Sequence, residues 1–251
     1  MGVLDRFQLP DAPFLVTGGE GRLGQQWCLA IREAGGIPIS FDLIKKPGST
    51  ASATYCLDLC DQGARYLAVA DVVRTHGRLR GLVNNAAYNP PPERPECRED
   101  WERQFAVLAA HDRLTFEVVE RRPSDTPALA IVNIGSDLAL MGPNMDLYQT
   151  VTPKPAHYTT VKHATVGLTR HYAMLYAKKN VRVNCLCPGP ICAVRTGATD
   201  SAFVERLKAD IPMGRLADLH EYDAALIFLL SDASSFMTGS VLSIARVRTC
   251  P

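Results

Sequence analysis

The chain has 251 residues, 47% hydrophobic and 21% charged, the balance of a globular protein with one large core rather than two small domains. A formal net charge of +1 gives no broad electrostatic pull toward nucleic acid or an anionic membrane. The longest apolar run, Ala224 to Leu230, is too short to span a bilayer, and Met1 to Pro13 lacks the apolar segment of a secretory signal. A cytoplasmic location follows. The eight cysteines form no C-x-x-C pair, and no His lies at a spacing that completes a zinc site. They read as buried free thiols, and no metal is expected.

In chain order, Phe14-Leu15-Val16 is a short apolar strand that breaks into Thr17-Gly18-Gly19-Glu20-Gly21-Arg22-Leu23-Gly24. A helical pattern follows, with Leu23, Trp27, Ala30, Ile31 and Ala34 on one face. Glycines let a backbone turn tightly beside a pyrophosphate, and a helix N-terminus offers free N–H donors. Strand, glycine loop and helix together predict a dinucleotide site. The next strand, Ile37 to Phe41, ends in Asp42, placed to bond an adenosine ribose and to repel a 2′-phosphate. NAD is therefore favoured over NADP, although Arg22 and Lys45-Lys46 would suit a phosphate if they are not simply solvated surface charge.

Tyr55 to Leu59 reads as a short strand whose Asp58 meets an adenine edge or caps the helix over Gln62 to His76. Leu79 to Val83 is a strand running into Asn84-Asn85-Ala86-Ala87, which either bridges neighbouring strands beside a flat ring or makes a plain turn. A proline-rich loop follows, with Pro90, Pro91, Pro92 and Pro95. Trp101 to Glu120 is the next helix, and Ala128 to Ile134 the strand that delivers Gly135-Ser136. An irregular stretch to Ala156 leads to a helix from Tyr158 to about Ala177. Val181 to Cys185 is a strand before Pro188-Gly189-Pro190-Ile191, and the segment 190–219 is expected to move and cover the site. Glu221 to Leu230 is a helix and Ser240 to Ala245 a last strand. Strands alternating with helices predict an α/β doubly wound parallel sheet of Rossmann type, one domain over 1–251 with its core at about 13–245.

Tyr158 and Lys162 stand four apart on one helix face. At an effective dielectric near 20, an ammonium about 5–6 Å away stabilises a phenolate by roughly 3 kcal/mol, or about two pKa units. Such a tyrosine can act as a general acid or base. The pair also arises by chance on an amphipathic helix, so its context decides.

That context is T-G-G-E-G-R-L-G, N-N-A-A, Ser136, Tyr158-x-x-x-Lys162, Val181-Arg182-Val183-Asn184 and Pro188-Gly189, in this order and spacing. From about Phe14 to Leu242 the chain resembles the short-chain dehydrogenase/reductase family. The resemblance implies Tyr158 as acid/base, Lys162 lowering its pKa and bonding the nicotinamide ribose, and Ser136 polarising the substrate oxygen. It implies that Gly18, Gly21 and Gly24 line the pyrophosphate, Asp42 the adenosine ribose and Asn85 the neighbouring cofactor surface. Thr17, Arg22, Leu23, Asp58, Leu59, Ala86, Ala87, Pro188, Gly189 and Ile191 are further expected cofactor-binding residues. A homo-oligomer, dimer or tetramer, and a small-molecule substrate are implied as partners. The long Ser136–Tyr158 spacing is similar to enzymes of bacterial surface-sugar and flagellin-glycan pathways. Tyr88, Asn89, Asn144, Tyr148, Lys154, His157 and Arg195 are candidate substrate contacts, or loop surface.

Three positions depart from the family pattern. Arg22 stands where many members carry Gly. Leu108 stands where the catalytic Asn is expected, so the water-borne proton relay is in doubt. The end, Ala245 to Pro251, replaces the usual Asp-Gly-Gly tail. These departures keep two alternatives open: a catalytically weak dinucleotide-binding sensor or scaffold, and a nucleotide-sugar epimerase or dehydratase.

Overall fold

Strand β1 (Pro13–Thr17) divides its side chains between two cores. Leu15 faces one, and Phe14 and Val16 face the other, as the period of two requires. The same division recurs on β4 (Gly81–Asn84), where Leu82 and Val83 part company. Both faces being apolar, these strands read as unbroken hydrophobic runs, the mark of a sheet covered on both sides.

The computed structural model describes residues 2–89, 96–122, 127–191 and 200–245. The remaining strands are β2 (Ile37–Asp42), β3 (Ala53–Cys56), β5 (Leu129–Ile134), β6 (Val181–Pro188) and β7 (Val241–Ile244). All seven pair in parallel in the order β3-β2-β1-β4-β5-β6-β7. Helices α1 (Arg22–Glu33) and α6 (Asp223–Leu230) cover one face. The other is covered by α2 (Gln62–His76), α3 (Arg98–Glu120) and α4 (Ala156–Tyr176). The strand order reverses between β1 and β4, which opens a crevice at their C-terminal ends.

Several boundaries differ from expectation for local reasons. β3 ends at Cys56 instead of Leu59, so Asp58 and Leu59 lie in the loop that borders the crevice. Asp61, not Asp58, caps α2, accepting the Ala64 N–H at 3.0 Å. β4 starts at Gly81, where a Cβ would come within 2.2 Å of Phe14. β6 continues past Cys185 to Pro188, pairing with β7 throughout. The last helix opens with a 3-10 turn, Leu219–Tyr222. Within 190–219, residues 192–199 lie outside the described residues, and Ser201–Ala209 forms an unforeseen helix, α5, capped by Asp200. Of the thiols, Cys28, Cys185 and Cys187 are buried as expected, whereas Cys56 and Cys60 are exposed. Cys192, Cys250 and the tail from 246 lie outside the described residues.

Candidate active site

A cavity of about 610 Å³ fills the crevice, running from Asp42 at one end to Tyr158 at the other. Gly18, Gly21, Arg22, Leu23 and Gly24 line it from the loop between β1 and α1. Gly18 has φ +63°, and a Cβ on Gly24 would lie 2.0 Å from the Gly18 carbonyl oxygen. Only glycine fits these two positions. Helix α1 starts at an N-cap glycine, Gly21, with no side-chain cap, so its first N–H groups remain available to an anion. This cradle fits a pyrophosphate.

At the adenosine end, the Asp42 carboxylate is fixed by backbone. Its Oδ2 accepts from Glu20 N at 2.9 Å and its Oδ1 from Leu43 N at 2.8 Å. Asp58 and Leu59 line the same end, and Arg65, bidentate to Glu117, donates to the Leu59 carbonyl at 2.6 Å. Glu20 was not anticipated as a structural anchor. Its carboxylate accepts from Ser49 and Thr54 hydroxyls, each at 2.7 Å, and from Lys46 N at 3.2 Å. The loop that follows Asp42 is thereby tied to the glycine turn.

The two asparagines bridge strands and do not make a plain turn. Asn85 Nδ2 donates to the carbonyls of Thr17 and Gly18, at 2.9 and 3.1 Å, while its Oδ1 accepts the Trp27 indole N–H at 3.0 Å. Asn84 donates to Thr115 and Asn133, and Asn133 donates to Thr169 on α4. Asn85, Ala86 and Ala87 reach the cavity. Thr17 sits beneath it, fully buried, with its Oγ1 accepting the N–H groups of Asn85 and Ala86 and meeting His111 Nε2 at 3.1 Å.

Ser136, Tyr158 and Lys162 converge at the far end of the cavity, with Pro188, Gly189 and Ile191. Gly135 lets Ser136 sit close under β6, since a Cβ there would meet Cys187 Sγ at 2.5 Å. Lys162, from the next turn of α4, places Nζ 5.8 Å from the Tyr158 ring centre and donates to the Ile134 carbonyl at 2.8 Å. Burial pushes the Lys162 ammonium down to about 8, and burial also raises the Tyr158 phenol, with the Ser136 hydrogen bond opposing. Burial is the largest influence on each group, and at Tyr158 it acts against the lowering expected from Lys162.

Other candidates separate. Tyr88 and Asn89 line the cavity, and Lys154 Nζ lies 5.1 Å from the Tyr158 ring centre. Asn144 donates to Asp210, Tyr148 packs on Phe203, and His157 is buried edge-on against Trp101. Arg195 lies outside the described residues. Helix α3 presents Val107 to the cavity, not Leu108 or an asparagine. No cluster of three or more metal-ligating side chains occurs among the described residues.

A family model described as enoyl-(acyl carrier protein) reductase matches residues 42–245. The chain belongs to the short-chain dehydrogenase/reductase family. It is 34% identical over 201 residues to the inactive 2-(S)-hydroxypropyl-CoM dehydrogenase 2 of Xanthobacter autotrophicus, covering 74% of this chain and 80% of that one. Its fold superposes on a Burkholderia cenocepacia gluconate 5-dehydrogenase in complex with NADP and tartrate, with TM-score 0.84, 24% identity and full coverage of both chains. A xylitol dehydrogenase bound to NAD+ gives TM-score 0.80 and 27% identity, covering 94% of this chain and 98% of that one. The protein is accordingly an oxidoreductase that uses a nicotinamide dinucleotide, a short-chain NAD(P)-dependent dehydrogenase/reductase. No helix among the described residues is long and apolar enough to cross a membrane.

Proposed function

We propose that the protein interconverts a secondary alcohol and a ketone on a polar, sugar-derived substrate with NAD(H), Tyr158 acting as acid/base. The observation that carries this reading is one continuous cavity, with Asp42 and the glycine cradle at one end and Ser136, Tyr158 and Lys162 at the other. When bound, the nicotinamide gives or takes the hydride at the substrate carbon. Tyr158 exchanges the proton with the substrate oxygen, Lys162 holds the nicotinamide ribose and stabilises the phenolate, and Ser136 orients the reacting oxygen. Asp42, held by two backbone N–H groups, accepts from the adenosine ribose and repels a 2′-phosphate, which supports NAD over NADP.

The polyol substrate of the similar xylitol dehydrogenase supports the sugar-derived class. A place in surface-sugar or flagellin-glycan chemistry rests on the Ser136–Tyr158 spacing alone. A cytoplasmic homo-oligomer, dimer or tetramer, belongs to the same proposal, supported by exposed Trp101, Phe105 and Phe116 on α3 and Met174 on α4; a monomeric mass by light scattering would remove the oligomer. Tyr158→Phe is expected to lower turnover of a polyol or hydroxy-acid panel at least a hundredfold, with NADH affinity within a few-fold of the parent. NADH should bind at least tenfold tighter than NADPH in fluorescence titration. An active Tyr158→Phe variant sinks the mechanism, and tighter NADPH binding sinks the cofactor choice. A second reading, a binding protein with little catalysis, is favoured by Leu108 and by the inactive relative; hydride transfer to any carbonyl compound would exclude it.

A further inference from the structure

Glu20 borders the adenosine end of the cavity beside Asp42, yet it is only 1% exposed. Its backbone N–H donates to Asp42 Oδ2 at 2.9 Å. Its side chain reaches the segment that follows Asp42: Oε1 accepts the Ser49 and Thr54 hydroxyls, each at 2.7 Å, and Oε2 accepts the Lys46 N–H at 3.2 Å. Burial pushes the Glu20 carboxyl up, but these donors and the Gln25 side chain outweigh it and hold the group below its ordinary value. The carboxylate is therefore ionised at neutral pH. Hydroxyl, amide and backbone N–H donors are all neutral, so they stabilise this charge without cancelling it.

Glu20, Asp42 and Asp58 bring three acids to this end of the cavity, against Arg22 and Lys46. A 2′-phosphate carries about 1.5 to 2 negative charges, and a buried charge acts on it with little screening by salt. We propose that Glu20 is a second specificity-determining residue: its buried carboxylate disfavours a 2′-phosphate, and its hydrogen bonds hold the loop after Asp42 in place for the adenosine. Leu43, Ile44 and Lys46 of that loop line the cavity, so the loop forms a wall that either dinucleotide meets. This inference rests on the reading of Asp42 as the acid that bonds the adenosine ribose. Charge and tether have separable effects. The charge decides which dinucleotide is preferred; the tether decides how tightly both are held.

The test measures dissociation constants for NADH and NADPH by fluorescence titration of the full chain and two variants. Glu20→Gln removes the charge but keeps an oxygen for the Ser49 and Thr54 hydroxyls. Ser49→Ala keeps the charge and cuts one tether. In Glu20→Gln the NADPH-to-NADH ratio of dissociation constants should fall at least about fivefold. In Ser49→Ala both dinucleotides should weaken by a similar factor, with that ratio within about twofold of the parent's. An unchanged ratio in Glu20→Gln overturns the proposal, even where both affinities drop, because the carboxylate would then be structural only. A ratio that moves as far in Ser49→Ala overturns it as well, since the selectivity would then belong to the loop and not to the charge. Loss of circular dichroism in Glu20→Gln also counts against it, because the carboxylate would then hold the fold. A parent that binds NADPH more tightly than NADH would remove the NAD reading, while the change of ratio on losing the Glu20 charge would remain measurable.

Discussion

Thr17 Oγ1 accepts two backbone N–H groups, so its own hydrogen is left for His111 Nε2 at 3.1 Å, the 3.4 Å approach to the Val83 carbonyl being the longer alternative. His111 is thus a neutral imidazole with its proton on Nδ1. Burial, with Lys162 adding in the same direction, pushes its pKa down to about 3 from 6.5. Because the unfolded chain takes up this proton first, the stability is intact above about pH 6.5 and is lost as pH falls toward about 3. We expect His111→Phe to flatten the acid limb of stability by about 3 kcal/mol between about pH 6.5 and pH 4. Urea unfolding of both proteins at pH 7, 5.5 and 4 measures it, and parallel slopes would contradict the assignment. Nothing in the local sequence marks His111, since its partner lies 94 residues away. Ser136, Tyr158 and Lys162 were legible because their chemistry and their order along the chain are local properties.

The glycine turn and α1 form the element whose function was easiest to read, because tight turning and free N–H groups follow from the residue types themselves. Gly24→Ala places a methyl group 2.0 Å from the Gly18 carbonyl oxygen, which forces the turn open. NADH affinity should fall at least tenfold, well above the factor of about five that a 1 kcal/mol loss would give. Gly142→Ala, where no atom lies within 4 Å of the added carbon, should leave it unchanged; equal effects from the two substitutions would show that the cradle does not bind the dinucleotide. Helix and strand ends were less legible. β3 stops at Cys56 because pairing with β2 ends there at Asp42, a tertiary limit that no run of apolar residues announces. Likewise α5 has a capped start and Phe203, Val204 and Leu207 at helical spacing, a signal set aside because it lies inside a segment read as a mobile cover.

Among the described residues, the sheet separates the two larger apolar cores, one beneath α2, α3 and α4 and one beneath α1 and α6. Ile39 belongs to the first and Ile31 to the second, and both are fully buried. Ile39→Val and Ile31→Val should each cost about 0.5–1.5 kcal/mol, and the double variant should equal their sum to within about 0.5 kcal/mol. A larger coupling in denaturant unfolding would mean that the sheet transmits strain between its faces. The sequence by itself determined the α/β alternation, the parallel sheet, the cradle and the Tyr158–Lys162 pair, because periodicity, glycine and residue chemistry act over a few neighbours. The tertiary structure decided that Thr17 supports the cavity without lining it, that Asn144 turns to Asp210 and His157 packs against Trp101, and that burial is the largest influence on the Tyr158 phenol. Desolvation and long-range hydrogen bonds depend on what the whole chain packs around a group. The spacing along α4 brings a phenol and an ammonium to one helix face; the packed surroundings decide which protonation state each favours.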